Sequence, residues 1–345
     1  MRLSPPLADP LRIAAASLWL PARRDTAEAA LAAGRVDGET ATRLGYRELT
    51  ESLDLAPPEM AVRAARDALD AAGWDGASVD LVAHAWICHQ GHDFWSPASY
   101  VAHHMGASRA LALGVQQMCN GGAAALETAV ARMIADPRVE RCAVTTADRF
   151  LAPDFDRWQG DYETAYGDSG TALLVDRHEG PYELLSVATV ARSEYEIMHR
   201  DEAAFSPAPR TLPLDVRRTK RAFVASGGKE RFAATMTEAV GEAVRAAIAD
   251  AGLTPEEPRL RFLTLPRLGS STLEEFFRPA MDRLGLGRTE ILALGGGTGH
   301  LGAGDSAANL ADLYADKRLE EGDIALLLSL GGGFSWSCIA VRAVG

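Results

Sequence analysis

The sequence predicts an α/β protein made of two similar halves, and three observations point there. An alanine-rich helical run closed by glycine occurs twice, at residues 61–73 and 239–252. Each is followed by an apolar strand candidate, 79–87 in the first half and 260–265 in the second. Each half then continues through a polar segment and another strand into a glycine-rich helix entry, at 119–122 and again at 295–304. Duplication of one α/β unit is the simplest account, with halves expected at residues 1–178 and 179–345.

The elements can be justified in order. The apolar stretch 13–20 stands behind Arg2 and Arg12 as a signal peptide would, but Arg12 adjoins it and no small-residue cleavage site follows, so it reads as a first strand. A mixed apolar run at 110–115 leads to Gln116, Gln117, Met118 and Cys119. Ala123, Leu126, Val130 and Ile134 then recur at helical spacing, with Pro137 beyond the end. Short apolar runs at 141–146, 170–176, 291–294 and 324–330 suit strands buried on both faces by helices. The stretch 192–228, rich in charge, proline and aromatics, reads as a surface excursion.

Composition sets outer limits. A chain of 345 residues with 47% hydrophobic and 24% charged residues is an ordinary globular protein, and a net charge of -12 argues against nucleic acid as the partner. Cys88, Cys119, Cys142 and Cys338 lie far apart without a C-x-x-C pair. Neither a disulfide framework nor a metal site is therefore indicated, and a reducing cytoplasm fits. No segment reaches the roughly 18 uninterrupted apolar residues of a membrane span.

Cys119 is the most informative residue, because Asn120-Gly121-Gly122 opens a helix directly after it. Unpaired N–H groups and the dipole at a helix start favour an anion, and the glycines admit another backbone or a substrate. Taken alone, a buried inert thiol explains the residue equally well. Other motifs fail on context. Gly297–Gly302 fits G-x-G-x-x-G, but the next strand ends in Gly331-Gly332-Gly333 where a ribose-binding acid should stand. Gly167-Asp168-Ser169-Gly170 resembles a protease nucleophile loop, which this helix-rich chain cannot support, so it reads as a strand cap. His84, His89, His92, His103 and His104 cluster without zinc-ligand spacing. His300 is different, because it sits among glycines at a helix approach, with Asp305 placed to orient its imidazole.

Cys119, the His300 loop and the closing 330–336 tract, with Thr42–Glu48 and Tyr166–Gly170 in matching order, together resemble the β-ketoacyl-acyl carrier protein synthase III family of the thiolase superfamily. The resemblance runs nearly end to end. It implies a five-layer αβαβα thiolase fold, a homodimer, Cys119 as acyl-accepting nucleophile, and an oxyanion hole from the N–H groups of Cys119 and Gly332. Chain-elongating members use Cys-His-Asn. Here the first segment reads Leu265-Pro266-Arg267-Leu268-Gly269 without histidine, and His300 stands where asparagine is expected. Decarboxylative condensation needs two donors on the developing enolate, whereas acyl transfer needs a thiolate, a base and a group to orient that base.

Cys119, His300 and Asp305 would supply that trio, as in the family's acyltransferase branch of antibiotic and polyketide pathways; the competing role for Asp305 is a helix cap. The expected activity is transfer of an acyl group to a hydroxyl, amine or carrier thiol. A decarboxylative condensing enzyme is the alternative. No cofactor is expected beyond the phosphopantetheine or coenzyme A thioester that serves as substrate. The coenzyme A adenine clamp of tryptophan and arginine is not evident, since Gly160 falls where the arginine would stand, although Arg157 and Trp158 are close. An acidic acyl carrier protein is thus the expected donor, docking on Arg217, Arg218, Lys220 and Arg221 in the chain's densest basic stretch. Phe94, Trp95 and Tyr100 are candidates for an acyl pocket or dimer border.

Overall fold

The computed structural model describes residues 10–200, 205 and 215–344. The strands are β1 (Arg12–Trp19), β2 (Arg24–Thr26), β3 (Glu48–Thr50), β4 (Leu81–Ala85), β5 (Leu111–Val115), β6 (Arg141–Asp148), β7 (Ser169–Asp176), β8 (Tyr182–Ala191), β9 (Leu260–Thr264), β10 (Glu290–Leu292), β11 (Ile324–Gly331) and β12 (Ser335–Ala343). Apart from the β2–β3 ribbon they form one ten-stranded sheet in the order β10-β9-β11-β12-β8-β1-β7-β6-β4-β5. Its two halves repeat one topology. In the first, β1–β7 and β7–β6 are antiparallel while β6–β4 and β4–β5 are parallel. In the second, β8–β12–β11 and β11–β9–β10 repeat the same two patterns. Only the pairs Arg12–Glu183 and Ile13–Tyr182 join β1 to β8 across the middle.

Helices α1 (Ala27–Ala32), α2 (Gly38–Leu44), α3 (Pro57–Ala72), α4 (Pro97–His104), α5 (Gly121–Ala135), α6 (Val216–Ala225), α7 (Gly228–Asp250), α8 (Ser270–Thr272), α9 (Arg278–Asp282) and α10 (Asp305–Ala315) complete the chain. Three apolar clusters define the layers. Helices α3 and α4 cover the outer face of the first half-sheet, and α7 and α9 that of the second. Helices α5 and α10 lie between the half-sheets, their Leu126, Val130, Leu310 and Leu313 packing on strands of both. This is the thiolase arrangement αβαβα. Helices lie on both faces of β7 and β11, and all eight residues of each are buried.

Local chemistry sets the ends of these elements. Pro57 and Pro58 open α3, the Glu59 carboxylate accepts from Ala56 N at 2.7 Å, and Gly73 closes the helix at φ 66°. Its alanines let the helix approach the sheet closely, and each buried Met60 or Leu69 contributes roughly 1.5–3 kcal/mol. The expected surface excursion at 192–228 needs correction. Residues 215–228 hold α6, capped by the Asp215 side chain accepting from Arg218 N at 2.9 Å, and the start of α7. The charged face of α6 obscures its periodicity. Residues 201–204 and 206–214 of that stretch lie outside the described part of the chain.

Candidate active site

Cys119 sits on the turn between β5 and α5, one residue before the helix N-cap Asn120. Met118 adopts φ 49°, and Gly121 N donates to Met118 O at 2.9 Å, which lifts Cys119 clear of the strand. Asn120 is buried and donates to Ser335 Oγ at 3.0 Å and Ser337 Oγ at 2.8 Å, tying the turn to β12. The backbone that approaches Gly122 is that of the His300 loop, for a Cβ there would meet Ala303 O at 2.4 Å. A Cβ on Gly331 would likewise stand 2.4 Å from Asn120 N, so the glycine tract after β11 lies directly on the Cys119 turn.

His300 is pinned through its backbone. Its N–H donates to Ala165 O and its carbonyl accepts from Gly167 N, both at 2.9 Å. Its Nδ1 lies 2.7 Å from Asp305 Oδ2, while Nε2 is buried without a conventional hydrogen-bond partner and the ring lines the same cavity as Cys119. Burial opposes the charged imidazole. The Asp305 carboxylate and the Cys119 sulfur outweigh that effect and hold His300 well above the ordinary histidine pKa.

Asp305 is the first residue of α10, yet it does not cap its own helix. Its Oδ1 accepts from Leu301 N at 2.9 Å, and Oδ2 from Arg267 N at 2.7 Å as well as facing His300. Burial would raise this carboxyl, but His300 and then Arg267 hold it below the usual carboxylate value. Arg267, the residue found where the chain-elongating pattern has histidine, is 1% exposed. Its guanidinium is spent on Asn309 Oδ1 at 2.9 Å, Thr298 Oγ1 at 3.0 Å and the Asp312 carboxylate. It does not line the cavity.

That cavity, about 400 Å³, has Cys119, His300 and Gly332 among its lining residues and exposed Val224, Lys229, Ser271 and Glu275 at its rim. Its apolar wall comes from Phe223, Phe232, Phe276 and Phe334 with Met198 and Met236. The expected aromatics are elsewhere: Phe94 is fully exposed, and neither Trp95 nor Tyr100 lines the cavity. The lining phenylalanines are scattered through the second half and share no sequence pattern, so only folding gathers them.

One wall is polar, and sequence reasoning missed most of it. Lys220 Nζ lies 2.5 Å from Asp161 Oδ1 and also pairs with Glu163, while Tyr166 OH donates to Asp161 Oδ2 at 3.0 Å. Burial pushes Glu163 up to about 7, while the two carboxylates raise Lys220 despite its burial. The docking expectation for Lys220 is therefore corrected, because an ammonium buried between two carboxylates cannot face a docking protein. Arg217 also turns inward, donating to Asp161 O at 2.9 Å and lying over the Tyr162 ring. Arg218 and Arg221 remain exposed on α6. His199, assigned no role by its sequence context, is on this cavity too.

The other motifs have structural work. Asp168 of the 167–170 loop accepts from Phe150 N and Ser52 N at 2.8 Å and pairs with Arg157 at 3.3 Å. Trp158 is buried and donates to Asp25 at 2.9 Å. Neither Arg157 nor Trp158 faces the cavity as an adenine clamp would. His84 is buried with Thr145 and Gln90 as partners. Among the described residues no group of three potential ligands could hold a metal, and no helix is long and apolar enough to cross a membrane.

The comparisons with known proteins agree with this architecture. A solved structure of ChlB3, named as an acyltransferase, is 30% identical with a TM-score of 0.87, covering 97% of this chain and 98% of its own. The chain belongs to the β-ketoacyl-acyl carrier protein synthase III family. Residues 271–343 match the family described as 3-oxoacyl-[acyl-carrier-protein (ACP)] synthase III C terminal. The β-ketoacyl-[acyl-carrier-protein] synthase III of Roseiflexus sp. (strain RS-1) is 27% identical over 307 residues, 87% of this chain and 88% of that protein. The synthase III structure from Aquifex aeolicus VF5, at 19% identity and a TM-score of 0.74 over 96% of this chain and 99% of its own, shares the fold. The protein is accordingly an enzyme of the β-ketoacyl synthase III family within the thiolase fold.

Proposed function

We propose that this enzyme is an acyltransferase of the synthase III type that carries an acyl group on Cys119 and releases it to a hydroxyl, amine or carrier thiol without decarboxylation. The observation that carries the reading is the Cys119–His300–Asp305 line, with Arg267 engaged in a buried network where a condensing enzyme would keep histidine. Cys119 Sγ attacks the thioester carbonyl, and the carbonyl electrons move onto oxygen, toward the N–H groups of Cys119 and Gly332. Collapse breaks the bond to the carrier sulfur, which leaves with the His300 Nε2 proton.

Acylation removes the negative sulfur that helped hold His300 charged, so its basicity falls once its proton is gone. Nε2 then accepts the acceptor's proton as the acceptor attacks the acyl carbonyl, and the Cys119 thiolate departs. Asp305 keeps its charge throughout and fixes the tautomer.

The donor in this reading is an acyl carrier protein, the carrier in the name of the Roseiflexus synthase III. Its docking surface is the exposed Arg218 and Arg221 of α6, beside the Lys229 rim. The edge strand β5, with Leu111 half-exposed, is the surface on which a homodimer would form. The test uses a malonyl-carrier thioester with intact-mass and carbon dioxide detection. A malonyl adduct on wild type, absent from Cys119→Ala and stable without carbon dioxide release, is expected. Carbon dioxide release coupled to carbon–carbon bond formation would establish condensation instead.

A further inference from the structure

Asn120 stands at the start of α5 but does not cap it. An asparagine in this position ordinarily accepts from the second or third N–H of its helix, whereas this side chain makes no such bond. It is 1% exposed, its Nδ2 reaches across to Ser335 and Ser337 of β12, and its Oδ1 is buried without a partner. The Glu127 carboxylate, further along α5, accounts for that orientation. Glu127 Oε2 accepts from Thr189 Oγ1 at 2.9 Å, and the same threonine oxygen lies 2.9 Å from Ser337 Oγ. A hydroxyl has one proton, so Thr189 gives its own to Glu127, Ser337 donates to Thr189, and only lone pairs of Ser337 are left for Asn120. The amide must present its NH2, and its oxygen is left over.

An unmatched buried oxygen is costly, yet the bonds that come with it join two segments that acyl transfer needs together. Ser335 pairs with Gly331 across the β11–β12 hairpin, and Gly332 begins the turn between them. Asn120 touches both ends of that turn. Its side chain bonds Ser335, and its backbone N packs on Gly331 so closely that a Cβ there would not fit. Cys119 directly precedes Asn120, and Gly332 directly follows Gly331. The two N–H groups assigned to the oxyanion hole therefore come from distant parts of the chain that meet at this one residue, with Ser335 lying 215 positions from Asn120.

We infer that Asn120 is the positioning residue of the oxyanion hole, stitching the Cys119 turn to the β11–β12 hairpin so that the Cys119 and Gly332 N–H groups converge on one oxygen. This deepens the acyl-transfer reading and rests on those two groups being the donors. Asn120 does not line the cavity, so it acts through the backbone on either side of the stitch.

The test compares two reactions of Cys119, one that builds an oxyanion and one that does not. Butyryl-pantetheine acylates the thiol through a tetrahedral oxyanion, whereas iodoacetamide alkylates it by displacing iodide from a saturated carbon. Both rates are followed by intact mass, with Cys119→Ala giving the background from the other cysteines. Two variants are compared with wild type: Asn120→Ala, and Ser335→Ala, which removes the hairpin end of the stitch and leaves Asn120 bonded to Ser337. In both, the limiting rate of acylation should fall roughly tenfold, short of the about 10²–10³-fold that follows loss of a whole oxyanion donor. The thioester concentration at half-maximal rate should hold, because these N–H groups act on the transition state. Alkylation should keep its wild-type rate. A parallel fall in both reactions would reduce Asn120 to a structural anchor of the turn, and undiminished acylation in both variants would equally overturn the inference. A wild type that is alkylated at Cys119 but never acylated would instead refute the acyl-cysteine reading, and the inference with it.

Discussion

Asp305→Asn tests the catalytic line most directly, because it keeps shape while removing charge. The carboxylate accepts three hydrogens, from His300 Nδ1, Leu301 N and Arg267 N. An asparagine has one acceptor oxygen. If that oxygen takes the His300 and Arg267 side, the amide NH2 meets the Leu301 N–H; if it is turned the other way, it meets the imidazole and presses the wrong tautomer. In either case the imidazolium loses its carboxylate partner, an interaction of about 1.5–3 kcal/mol, which corresponds to roughly a 10- to 150-fold slower acylation. His300→Ala should cost more, since it removes the proton carrier as well.

The pH profile adds a sign. Asp305 holds His300 above the ordinary histidine range, and in the proposed mechanism the imidazolium supplies the proton with which the carrier thiol leaves. Removing the negative partner lowers the His300 pKa, so the alkaline limb of the acylation rate should move to lower pH in Asp305→Asn. Time courses of the Cys119 adduct by intact mass, taken across that range, give both numbers. An unchanged limb together with a wild-type rate would refute His300 and Asp305 as a functional pair and leave Asp305 as a loop anchor.

Reversing Arg218 and Arg221 to glutamate should raise the apparent KM for an acidic carrier and weaken its salt dependence, since rim charges act mainly on association and are screened beyond about 8 Å. Transfer from a small pantetheine thioester should be unaffected, and equal damage to both donors would show that α6 is needed structurally. Arg267→Met should destabilise the fold by about 3 kcal/mol in urea titration, because Asn309 and Thr298 lose a buried partner while Asp312 can still reach water. Little change in the unfolding midpoint would mean that the network is dispensable. Stability should also decline in acid as Asp305 is protonated, because its folded pKa lies below the unfolded value and its contribution is lost as pH falls through the folded one.

The local sequence determined a good deal by itself. Helical period marked α3 and α5, with Gly73 closing the one and Pro137 following the other, continuous apolar runs marked β7 and β11, and the repeated order of these signals marked the duplication that the sheet displays. The pairing of His300 with Asp305 was legible because five residues bridge one loop and one helix start. These features depend on neighbours in the chain, where spacing is a direct proxy for geometry.

Tertiary structure decided the rest. Lys220 reads as surface charge in sequence, but folding sets it between Asp161 and Glu163, which are 59 and 57 residues away. Phe94 and Trp95 resemble pocket residues, yet the wall is drawn from phenylalanines of α6, α7, the segment after α8 and the β11–β12 turn. His199 carries no motif, and its place on the cavity comes from packing against Gly332 and Phe334. Burial and charge at such sites are set by which distant segments close over them, and no local pattern in the chain records that.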